Sequence, residues 1–169
     1  MRGLGIGLAG AALLLAGCGE REQERVRVPT DEGMATVTTE GDSESGTMTI
    51  EAPDGSRTVI GAGSAASAAA APAFAQPYPG AQVEAAQIAE RDGERGGILS
   101  FSTDAHPDTV IDFYRQRAGE AGLSAGASLR QGESRVYQAE AEGVGASLMV
   151  VVTPVDDRAS VQVTGSAGG

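Results

Sequence analysis

The stretch DAHPDTVIDFYRQRAGEAGL, residues 104–123, is the clearest local signal in the chain. At about 100° per residue, Val110, Ile111, Phe113, Tyr114, Ala118 and Ala121 fall on one face. Asp112, Arg115, Gln116 and Glu120 take the other, and Arg117 lies inside the apolar arc, where its head must reach out to water. Pro107 suits a first helical turn, Asp104 or His106 can cap it, and Asp108 lies near the positive end of the macrodipole. Gly122 is placed for a left-handed stop. This pattern predicts a helix that packs on a sheet.

The flanking segments supply that sheet. Val83–Ala89 and Ile98–Ser102 read as strands before the helix, joined by the polar, Gly-rich loop Arg91–Gly97. Ser134–Glu140, Ala146–Val155 and Arg158–Gly165 read as strands after it, separated by the turns Glu142-Gly143 and Asp156-Asp157. The unbroken apolar run Leu148–Val152 belongs to a central strand, whereas Val161 and Val163 alternate with polar residues. The expected fold class is α+β: an antiparallel sheet of about five strands with one helix packed across it, over residues 78–165.

Upstream, the composition changes. Residues 18–45 are expected to form a disordered tether, because Glu20–Gly33 nearly alternates charges and has little to bury. Met34–Gly41 could add a strand. Residues 46–61 read as a small β-hairpin: Met48 and Ile50 alternate with polar residues, Pro53-Asp54-Gly55 turns the chain, and Thr58–Ile60 returns. Residues 62–77 are Ala-rich, without an amphipathic face, and are expected to act as a flexible linker.

At the start, MRGLGIGLAGAALLLAGC has the anatomy of a secretory signal peptide: basic Arg2, a short apolar stretch and small residues at the end. The stretch is short for a membrane span. Leu15-Ala16-Gly17-Cys18 resembles the lipobox of bacterial lipoproteins. The resemblance implies that residues 1–17 are a lipoprotein signal peptide, cleaved before Cys18. It also implies a diacylglycerol thioether on the Cys18 sulfur and an acylated amino group. Cys18 is the chain's only cysteine, so an internal disulfide framework is excluded, and lipidation would occupy an otherwise unpaired thiol. In the Gram-negative lipoproteins that the motif resembles, Asp after the cysteine favours inner-membrane retention. Gly19 stands there instead, so the expected address is the outer membrane facing the periplasm, with the inner membrane and cell surface as alternatives.

The segments PYPGAQV and HPDTVIDFYRQRAGEAG, followed by the terminal strands, also resemble a module of uncharacterised alphaproteobacterial lipoproteins. That likeness implies a fold and no mechanism. The 12 basic residues, all Arg, face 23 acidic ones; this imbalance argues against nucleic acid as a partner. The expected partners are the membrane, through the lipid on Cys18, and an envelope protein or cell-wall component.

No motif carries chemistry. The sole histidine, His106, stands where a helix cap belongs. Neither H-x-x-x-H nor C-x-x-C occurs. The one G-x-S-x-G, Gly122–Gly126, follows the predicted helix and not a strand, so it lacks the strand-to-helix setting of a nucleophile elbow, and RDGERGGI lacks the order of a P-loop. Asp104, His106 and Asp108 alternate as a weak surface metal site could, and Asp42, Glu44, Glu51 and Asp54 invite a calcium reading without a defensible ligand spacing. No catalytic, metal or cofactor-binding residue is therefore assigned. The expected function is a lipid-anchored cell-envelope protein acting as a non-catalytic binding or structural module. The alternative is a small periplasmic enzyme that uses carboxylates or His106.

Overall fold

The computed structural model describes residues 23–42, 45–66, 71–143 and 145–168. Cys18 and the signal segment lie outside the described residues. The described chain forms one antiparallel sheet of ten strands in the order β1-β2-β3-β4-β5-β6-β10-β9-β8-β7. The strands are β1 (Gln23–Thr30), β2 (Gly33–Glu40), β3 (Thr47–Glu51), β4 (Arg57–Ala62) and β5 (Gln82–Arg91). They continue with β6 (Glu94–Thr103), β7 (Ser124–Gln131), β8 (Ser134–Glu140), β9 (Ser147–Val155) and β10 (Arg158–Ala167). A one-turn helix α1 (Gly63–Ala66) and a 3-10 turn at Ala73–Ala75 precede β5, and helix α2 spans Pro107–Glu120.

This corrects the expectation of about five strands preceded by a disordered tether and a small hairpin. Residues 23–40 pair as an antiparallel hairpin, from Gln23 opposite Glu40 to Thr30 opposite Gly33. The hairpin at Met48 and Ile60 joins the main sheet edge-on, with Arg57–Ala62 laddered to Ala85–Glu90. A lone hairpin is barely stable in water, so backbone pairing to β5 gives it the support it lacks. Strand β7 is also new. Like β1 it is an edge strand, exposed nearly throughout, so it carries no buried alternation for a sequence reading to detect.

The helix follows its sequence pattern. His106 is the N-cap, its Nδ1 accepting from the Asp108 amide at 3.3 Å, and Pro107 opens the first turn. Gly122, at φ +78°, ends it: the Leu123 amide donates back to the Ala118 carbonyl at 2.9 Å, and Leu123 itself is buried. Val110, Ile111, Tyr114 and Ala118 are buried, while Ala121, expected on the apolar face, is the exposed C-cap. Arg117 holds its guanidinium over the Phe113 ring, 5.1 Å from its centre, and donates to the Ala73 carbonyl.

The core lies on one face of the sheet. Leu99 and Phe101 of β6, Val161 and Val163 of β10, Leu148, Val150 and Val152 of β9, and Tyr137 of β8 all turn inward. Helix α2 covers β7, β8 and β9, whereas the 3-10 turn covers β10 and α1 covers β4 and β5. The segment at residues 71–77 therefore helps build the core. Phe74 and Ala75 are buried, and the Gln76 carbonyl accepts from the buried Tyr114 hydroxyl at 2.8 Å. Burial pushes the Tyr114 phenol well above its ordinary range, so it is a hydrogen-bond donor at any physiological pH. Small residues make these contacts close. A Cβ on Gly61 would come within 2.6 Å of Ala66, and one on Gly165 within 2.7 Å of Ala75.

Candidate functional site

Three loops meet at the end of the sheet where α2 begins: the β6–α2 connection, the β7–β8 turn and the β9–β10 turn. They enclose a shallow cleft of about 350 Å³, lined by Asp104, His106, Glu133, Arg135, Asp157 and Arg158 among others. A wider hollow of about 520 Å³ shares Asp156, Asp157 and Arg158 and adds Glu84, Ser102 and Ser160. Asp156 adopts a left-handed φ of 52° in the two-residue β9–β10 turn, a conformation that Asp tolerates better than most side chains. The turn places both of its carboxylates beside the clefts.

The two arginines of the first cleft are held in ion pairs with aspartates at and just before the start of α2. Asp108 accepts from Arg135 Nε at 2.8 Å and lies 3.3 Å from Arg130. Arg135 is the most buried of these arginines; its other donors reach the Glu133 carbonyl at 2.7 Å and the Ser134 carbonyl at 3.3 Å. The Arg135 hydrogen bond holds the Asp108 carboxyl below the usual aspartate range, outweighing desolvation, which acts in the opposite direction. Asp104 pairs with Arg158 at 3.0 Å, and Arg158 also reaches Gln82 Oε1 at 3.3 Å.

This geometry sends the two aspartates on either side of His106 to different arginines, Asp104 to one on β10 and Asp108 to one on β8, while His106 Nδ1 stays 3.8 Å from the Asp108 carboxylate. His106 is exposed, and its Nδ1 is committed to the cap. Among the described residues, no group of three or more His, Cys, Asp or Glu side chains is arranged to hold a metal ion. In the turn after β3, Asp54 accepts from the Ser56 hydroxyl at 2.7 Å and its amide at 2.9 Å, and it pairs with Arg91 at 3.3 Å. The Ser56 hydroxyl is the main reason that the Asp54 carboxyl sits below its ordinary range. Asp54 is therefore a turn-closing residue. Glu44, grouped with it in the calcium reading, lies outside the described residues.

Arg135 and Arg158 are the residues that sequence reasoning missed here. Each lies in a segment already read as a strand, and its partner is 27 or 54 positions away, so no local spacing marks the pair.

The chain matches no family model, no curated protein and no solved structure. The site must therefore be judged on its own geometry. Arg135 and Arg158 tie the start of α2 and the residues before it to the sheet through Asp108 and Asp104. Glu133, Asp156 and Asp157 give the first cleft an excess of acid, and no nucleophile–base pair is among the residues lining it.

The Asp108–Arg135 pair has a pH signature. Because the folded-state pKa of Asp108 is depressed, its contribution is full above the ordinary aspartate range. That contribution is lost as pH falls through the lowered value. Asp108→Asn is expected to be less stable than the parent at neutral pH, with the difference shrinking towards zero in acid. Urea denaturation at a series of pH values checks this. A difference independent of pH would show that the carboxylate charge is not what matters.

Proposed function

We propose that this protein is a lipid-anchored component of the cell envelope, held by acyl chains on Cys18, with its sheet serving as a non-catalytic binding or structural module. The observation that carries the reading is the sequence Leu15-Ala16-Gly17-Cys18 at the end of an apolar stretch that starts after Arg2. Cleavage before Cys18 would remove Arg2 and take the formal charge from −11 to −12. A single acyl chain binds a bilayer weakly at about 0.8 kcal/mol per buried CH₂, so the two or three chains on a mature lipoprotein make the attachment lasting. Gly19 in the position after the cysteine supports the outer membrane, facing the periplasm.

The architecture refines how such an anchor would work. Strand β1 begins at Gln23, so the chain between Cys18 and the sheet can reach at most about 18 Å. The module would sit close to the bilayer with its β1 edge nearest the lipid. The alternative of a small periplasmic enzyme has less support, since His106 caps a helix and Asp104 and Asp108 are engaged by arginines.

The test is the intact mass of the full chain extracted from membranes with detergent. A polypeptide starting at Cys18 with added acyl mass is the expected result. An unmodified chain in the soluble fraction would overturn the proposal. Cys18→Ala, or an inhibitor of lipoprotein signal peptidase, is expected to make the uncleaved precursor accumulate.

A further inference from the structure

The face of the sheet opposite the helix is uncovered among the described residues, and it is unusual for a solvent face. Residues directly opposite one another in the ladders share a face, so the register defines its rows. One row runs Met48, Ile60, Gln87, Ile98, Thr164 and Met149 across six strands. The neighbouring row passes through Ser100 and Gln162 to Val151, Val136 and Leu129. Ile60 is 40% exposed, Ile98 42% and Leu129 60%. Charged side chains enter only at the margins: Glu24 at the β1 edge, Glu140 near the other, Glu84 with Arg158 at one end, and Arg91 with Glu94 at the opposite end.

An antiparallel sheet that faces water on one side ordinarily alternates core residues with polar and charged ones. Here Ile98 and Val151 stand where charged residues would solvate β6 and β9. The ten strands, about 4.8 Å apart, give this face a footprint of roughly 1,000 Å², against the ~800 Å² that each partner contributes to a standard stable interface.

We infer that a second copy of this chain packs on this face, the two sheets stacking as the layers of a β-sandwich. Size favours that occupant, because the footprint is enough for a stable dimer. Chemistry favours it too: the interior of the face is uncharged on a chain of formal charge −11, so two copies can meet there without opposing acids at the centre, and the same patch serves both sides of a twofold contact. A bilayer is a poorer fit. The interior of the face has no arginine for anionic headgroups, and all six aromatic side chains of the chain lie with the core on the other side. The inference does not depend on lipidation of Cys18.

The experiment places a photo-crosslinking benzophenone side chain at Ser100, in the middle of the face, in the full chain in cells. Two differently tagged copies are co-expressed. The expected product is a species of twice the chain's mass that carries both tags. Ile98→Arg is expected to lower its yield by roughly tenfold or more, since a charge would be buried at the contact. Gln162→Arg, which replaces a residue already polar and exposed, serves the same purpose should Ile98→Arg fail to fold. The same probe at Glu120, on the outer side of α2, is expected to give no such species. Adducts with lipid alone, with a different protein alone, or none from Ser100 would each overturn the inference.

Discussion

Phe101→Ala is expected to lower the free energy of unfolding by about 3–5 kcal/mol, a large share of the ~5–15 kcal/mol that holds a domain folded. Phe101 has no exposed surface. It lies in β6 at the middle of the sheet, opposite Val83 of β5 on one side and Val161 of β10 on the other. Removing its ring leaves a cavity between strands locked in register on both flanks, so the site cannot collapse to fill it. Urea denaturation gives the value. A loss below about 1 kcal/mol would mean that the core is loosely packed at its centre.

Gly165→Val ranks next. The added Cβ would stand 2.7 Å from that of Ala75 and 3.5 Å from the Phe74 ring, closer to Ala75 than real side chains approach. Overpacking of this kind costs about 1–3 kcal/mol. The strand is fixed by ladders to β6 and β9, so the 3-10 turn is the part that yields. The expected result is loss of amide-exchange protection at Ala75, whose N–H is bonded to the Pro72 carbonyl, with protection of β10 retained. Equal loss at both would show that the turn and the sheet unfold as one unit. Gly165→Ala separates the close approach from the bulk of valine, and an intermediate effect is expected.

The helix was legible because its information is local: Pro107, Gly122 and the spacing of Val110, Ile111, Tyr114 and Ala118 all lie within a few turns of one another. The strands with buried alternation were legible for the same reason. The extent of the sheet was not. In β1, Val26 and Val28 do alternate with Arg25 and Arg27, but neither face is buried, so alternation there has no core to report on. Strand β7, rich in Ser, Ala and Gly, offers only Leu129 as a large apolar residue, and that side chain is exposed. The union of the two halves depends on Arg57–Ala62 meeting Ala85–Glu90, a backbone ladder that no side-chain pattern announces. Within the site, the capping role of His106 was readable from its place before Pro107. The arginine partners of Asp104 and Asp108 were not, because they arrive from β10 and β8.

The last described strand stands in the middle of the sheet. β10 lies between β6 and β9, and its first pairs, such as Ala159 with Thr103, join positions more than fifty residues apart. Until Arg158–Ala167 is available, β6 and β9 each present a raw edge to solvent, and the apolar residues above them have no completed floor. Closure is thus an insertion, with Arg158–Ala167 sliding between two waiting ladders. Such long-range pairing pays its loop entropy before its contacts form, which makes it slow. The fold therefore has a built-in order of events. A chain under synthesis keeps β6 and β9 apart until Arg158–Ala167 has emerged, and the sheet then seals at its centre.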